Sequence, residues 1–208
     1  MSGNQCCENP PTLSSSSGAG QVQQLGGLNC YVSGLADSQF AVLLISDIFG
    51  YEAPNLRKLA DKVAAAGFYT VVPDFLYGDP YVPEKQPISL WIKDHGTDKG
   101  FEDAKPVIEA LKSKGVTKIG AAGFCWGAKV VVELGKHPYI EAGMSPPELV
   151  KQFEAALNAK PEIDGFVKIF PGVSHGWSVR YKDDDALSVR SAEEAHRDML
   201  DWFAKYLK

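Results

Sequence analysis

The chain has 208 residues, 45% of them hydrophobic, which suits one compact domain with a sizeable core, or a domain plus a tail. A net charge of -5 without clustered Lys and Arg argues against a nucleic-acid surface, and no apolar run approaches the roughly 18–20 residues needed to span a bilayer. Four cysteines, at positions 6, 7, 30 and 125, match neither a disulfide framework nor a paired zinc-ligand set, so reduced thiols in a cytoplasmic setting, with no metal and no cofactor, are expected.

Residues 1–20 are rich in Ser, Gly and Pro and read as a mobile leader, with Cys6 and Cys7 as tail residues; no signal peptide is apparent. The domain is expected to occupy residues 21–208. Loose alternation over 22–32 around Gly26-Gly27 signals a hairpin. The apolar run 41–45 has the mark of a strand buried on both faces. Pro54 opens a helix and Gly67 closes it, with Leu56, Leu59, Ala60, Val63 and Ala64 on one face. Residues 68–72 form the next strand, followed by a Pro- and aromatic-rich loop over 73–87. A helix over 98–114 should kink or start late at Pro106. A third strand covers 118–124, and a helix follows Gly127 to about Lys136. Two Ser-x-x-Glu capping boxes, at Ser145 and Ser191, predict two more helices, with a strand over 165–170 between them. Strands alternating with helices mean an α/β fold with a mostly parallel sheet and helices on both faces.

The chemistry concentrates at Gly123-Phe124-Cys125-Trp126-Gly127, where a predicted strand runs into a predicted helix. A chain that turns this sharply holds the middle residue in a strained conformation, and the flanking glycines let backbone pass closely. The turn would lift the Cys125 thiol above the sheet, aim the Trp126 N–H at a developing oxyanion, and favour a thiolate through the helix N-terminus. The alternative is a structural cysteine packed as a small hydrophobe. A neutral thiol needs a base. His175, after the strand 165–170, has the chain order that this arrangement requires, although alone it would read as a loop histidine. His95, His137 and His196 read as surface residues.

Together, Ile45-Ser-Asp47-Ile-Phe-Gly50, Val72-Pro-Asp-Phe75, the Cys125 elbow and Pro171-Gly-Val-Ser-His175-Gly resemble the dienelactone hydrolase family, particularly its plant-type members, over about residues 20–208. The resemblance implies an α/β-hydrolase fold and a Cys, Asp, His triad. It implies that Asp47, where bacterial relatives carry Glu, activates the resting thiol, and that the Ile48 N–H is the second oxyanion donor. The alternative for Asp47 is a helix-capping or turn carboxylate. The triad Asp is expected between the nucleophile helix and the helix at Ser145, yet that interval holds no Asp, and Glu141 is the nearest substitute. Only 50 positions separate Cys125 from His175, and one strand-plus-crossover unit takes on the order of 30 residues. Strands before the His-bearing strand are therefore expected to be missing. The resemblance implies a small ester or lactone as substrate, with Arg180 as a candidate for binding its carboxylate and no nucleic-acid or membrane partner; the oligomeric state is not readable. Impaired catalysis is the alternative, because the acid is absent. Some plant relatives are labelled endo-1,3;1,4-beta-glucanases, a chemistry needing two flanking carboxylates.

Overall fold

In the computed structural model, which describes residues 4–136, 142–144 and 164–208, the apolar runs pair into one six-stranded sheet. Its strands are β1 (Gln21–Leu25), β2 (Leu28–Ser33), β3 (Phe40–Ile45), β4 (Tyr69–Pro73), β5 (Lys118–Gly123) and β6 (Ala142–Met144), in the spatial order β1-β2-β4-β3-β5-β6. β1, β2 and β4 pair antiparallel, and β4, β3, β5 and β6 run parallel. The α-helices among the described residues are α1 (Pro54–Ala65), α2 (Ile88–Asp94), α3 (Thr97–Ser113), α4 (Trp126–Gly135) and α5 (Ala186–Leu207). Among the described residues no helix is long and apolar enough to cross a membrane.

The central strand explains the layering. Residues Ala41 to Ile45 are fully buried, because successive side chains point to opposite faces and both faces are covered. Leu43 and Ile45 join a cluster with Val107, Ile108 and Leu111 of α3 and Val130 and Leu134 of α4. Val42 and Leu44 join Leu59 and Val63 of α1 and Met199 and Phe203 of α5. The chain moves from β3 to β4 on one side and to β5 on the other, so the carboxyl ends of β3 and β5 flank the point where the winding reverses. Open parallel sheets place their ligand crevice at such a point. Ile45 pairs with Gly123, which puts Asp47 and Cys125 each two residues beyond the paired ends.

Several expectations change. α3 runs unbroken through Pro106 from Thr97, with no late start. The last helix begins at Ala186, upstream of Ser191, because Asp185 caps it by accepting from the N–H groups of Leu187 and Ser188. Residues 165–170 form no strand; Phe166 and Ile169 stand 57% and 64% exposed there. Residues 142–144, for which no strand was expected, pair parallel with β5. The helix expected from Ser145 lies outside the described residues. Residues 4–20, expected to be mobile, are laid against the domain. Arg57 donates to the Ser15 and Ser17 carbonyls, Ser14 N–H bonds the Glu52 carbonyl, and Cys6 is buried in a short 3-10 turn.

Candidate active site

The elbow is built by two crossings of backbone. Cys125 has φ 52° and ψ -105°, a region L-residues rarely adopt. A Cβ on Gly123 would lie 2.3 Å from the Gly127 carbonyl oxygen, and one on Gly127 would lie 2.3 Å from that of Ile45. Only hydrogen at both positions lets α4 begin directly over the ends of β3 and β5. The turn is tied by Gly127 N–H to the Phe124 carbonyl and Phe124 N–H to the Ile45 carbonyl. Trp126, the first residue of α4, is buried, and its indole donates to the His95 carbonyl at 2.8 Å.

The half-buried Cys125 thiol does not face open solvent. It donates toward the Sγ of Cys6, 3.6 Å away. One ring nitrogen of His175 and the two sulfurs all lie within 4.8 Å of one another, a trio whose donor atoms suit a thiolate-binding metal ion. The lowered thiol pKa expected from the helix N-terminus is reversed. Burial pushes the Cys125 thiol well above its ordinary range, Cys6 and the Asp47 carboxylate add to the shift, and Arg180 opposes it only weakly. A half-turn of helix dipole is too small to offset burial beside another thiol and a carboxylate.

Asp47 sits in the buried turn after β3. Its Oδ1 accepts from the Phe49 N–H at 2.9 Å, and its Oδ2 pairs with Arg180 Nε at 3.2 Å, an ion pair without an aligned hydrogen bond. Burial raises its pKa, while Arg180, the Phe49 N–H and His175 pull it back. Arg180, expected to meet a substrate carboxylate, is instead occupied. It is buried, and its Nη1 donates to the carbonyls of Cys6 and Glu8 at 2.9 Å each, while Nη2 donates to the His175 carbonyl at 3.3 Å. Gly176 makes room for it, since a Cβ there would fall 2.2 Å from the guanidinium. Ile48 lies buried between Asp47 and Phe49. Glu141, the candidate substitute acid, lies outside the described residues.

Two participants were not visible in the sequence. Cys6 reads as a tail residue because nothing in a Ser-rich leader signals docking. His196, read as a surface residue, is buried, and its Nε2 bonds the Ser178 carbonyl at 2.8 Å, which ties the His175 loop to α5. Burial lowers its pKa. Beside the site, a cavity of about 360 Å³ is lined by Leu13, Asn29, Phe49, Tyr51, Asp74 and Tyr77 among others; Cys125 and His175 do not line it.

Comparison with known proteins agrees with this architecture. The profile of the dienelactone hydrolase family matches residues 28–145, a span that includes Asp47 and Cys125 and stops short of His175. An endo-1,3;1,4-beta-D-glucanase of Zea mays is 48% identical over 66% of this chain, which spans 47% of that protein's length. A carboxymethylenebutenolidase homolog of Xenopus tropicalis is 31% identical over 90% of this chain and 91% of its own. That alignment runs 224 positions but uses 90% of 208 residues, about 187, so about 37 positions of the frog protein have no counterpart here. A solved Klebsiella pneumoniae structure bearing the dienelactone hydrolase name superposes with a TM-score of 0.66 at 20% identity, over 86% of this chain and 93% of that one. The profile match over more than half of the chain and the near-complete alignment to the frog protein place this chain in the dienelactone hydrolase family.

Proposed function

We propose that the chain hydrolyses small ester or lactone substrates through Cys125 as nucleophile and His175 as base. The observation that carries this is Cys125 held at φ 52° over the strand ends, with a His175 nitrogen and its own sulfur inside the same 4.8 Å group. His175 would take the thiol proton as sulfur attacks the acyl carbon. The Ile48 and Trp126 N–H groups would receive the oxyanion, and His175 would return the proton to the leaving alkoxide. The thioester is then cleaved by a water that His175 deprotonates. Asp47 would act on this centre through its field on His175 and Cys125.

A second reading, impaired catalysis, is favoured by the roughly 37 absent positions. Their number matches a strand-plus-crossover unit of on the order of 30 residues, and the sequence holds no Asp between the nucleophile helix and Ser145, where the resemblance places the acid. A glucanase is disfavoured by mechanism. Glycosidases use two carboxylates flanking the bond, and here Asp47 is already held by Arg180. The test is turnover of a p-nitrophenyl ester, with reducing-sugar release from mixed-linkage glucan run in parallel. Cys125→Ala should abolish ester turnover and His175→Ala should remove nearly all of it, because the pair works as one unit. Full turnover in either variant, or sugar release in place of ester cleavage, overturns the proposal.

A further inference from the structure

The N-terminal segment brings a second thiol to the nucleophile, and the surrounding contacts select which one. We infer that Cys6 and Cys125 form an intrachain disulfide when a hydroperoxide is present, making the elbow an oxidative modification site.

The geometry is specific. The two sulfurs stand 3.6 Å apart, and a disulfide needs about 2.05 Å, so closing the bond takes a movement of roughly 1.5 Å. The register of the segment is fixed by Arg180, whose Nη1 holds both the Cys6 and the Glu8 carbonyls while its Nε is held by Asp47. Cys7, one residue on, turns its thiol to the Tyr81 hydroxyl. Cys30 is fully buried, with its thiol toward the Leu25 and Leu28 carbonyls. A ring nitrogen of His175 lies in the same group as the two reacting sulfurs and can carry a proton between them.

The chemistry balances with one hydroperoxide. One sulfur of the pair, deprotonated, attacks a peroxide oxygen; the O–O bond breaks and the departing hydroxide becomes water. The sulfenic acid left behind is attacked by the second sulfur; the S–O bond breaks and a second water leaves as S–S forms. The two sulfurs together lose two electrons and hydrogen peroxide gains them, and both thiol protons end in water. The bond would tie up the nucleophile and spare it from irreversible sulfinic oxidation, and a dithiol would reverse it. That regulatory consequence rests on the ester-hydrolase reading; the bond itself does not.

The full chain is reduced, placed in chelator so that no metal occupies the trio, treated with stoichiometric hydrogen peroxide, alkylated and mapped without reduction. The expected product is a Cys6–Cys125 peptide pair, exceeding any Cys7–Cys125 pair by about tenfold or more, as selective exchange geometry requires. It should persist in Cys7→Ser and vanish in Cys6→Ser, where a second equivalent of peroxide, given to both chains, should instead leave Cys125 as sulfinic acid that dithiothreitol does not reverse. A dominant Cys7–Cys125 pair, a bond between two chains, or equal Cys125 sulfinic acid in the unmodified chain and Cys6→Ser would overturn the inference. The readout is a covalent bond, so a chain with no ester turnover still tests it, and loss of the bond leaves the esterase test intact.

Discussion

At Gly127 the space left for a side chain is negative. A Cβ would stand 2.3 Å from the Ile45 carbonyl oxygen and 2.5 Å from that of Ser46, and backbone cannot swing aside as a side chain can. Gly127→Ala should therefore cost about 2–4 kcal/mol in a urea melt, at or beyond the upper end for overpacking, and should remove ester turnover. Gly135→Ala, at the end of the same helix with nothing within 4 Å, is the matched control and should be near neutral. The elbow was legible because a strand that turns directly into a helix needs small residues at fixed spacing around the turn, a residue-type signature readable even though the backbone that Gly127 meets belongs to Ile45 and Ser46. The state of the thiol was not, because burial against Cys6 and Asp47 depends on segments far away in sequence, and those outweigh the local helix dipole.

The elements follow the same division. β3, β4, β5, α1 and α4 were readable to within a residue or two from apolar runs bounded by Pro and Gly, signals that need no partner. Residues 165–170 carry a strand-like pattern yet join no strand ladder among the described residues, since a strand is realised only by its neighbours. The last helix starts early because Asp185, with Ser188 donating its hydroxyl to the carboxylate, caps better than the downstream box. The N-terminal segment is the element with the most direct chemical consequence. Burial is the largest cause of the raised Cys125 pKa and Cys6, 3.6 Å from its sulfur, the next, so the docked N-terminal segment contributes directly to the shift. Removing residues 1–12 should lower the Cys125 pKa and hence increase its thiolate fraction, and so its alkylation rate, at pH 8. The check is iodoacetamide labelling against pH. A profile unchanged by the truncation would mean that the segment does not govern the thiol.

For the whole molecule, about 37 positions of the frog relative have no counterpart here, and among the described residues Phe166 and Ile169 stand exposed. At roughly 25 cal/mol per Å², a few hundred Å² of uncovered apolar area is large against a typical stability of about 5–15 kcal/mol. The chain should therefore bind a hydrophobic dye in its native state, melt below a full-length relative, and turn over ester substrate more slowly. Dye exclusion with a sharp melt at the relative's temperature would refute this.

The Arg180 clamp on the Cys6 carbonyl also sets a time order. It joins residues 174 positions apart, so it closes a loop across most of the chain and cannot form until the sheet between them exists. It should thus assemble after the sheet during folding and, resting on a few hydrogen bonds of a short segment, open before the sheet in native fluctuations. Backbone amides of residues 4–8 should exchange hydrogen far sooner than those of β3. The Cys125 thiol would therefore be exposed by an opening that leaves undisturbed the core that positions it.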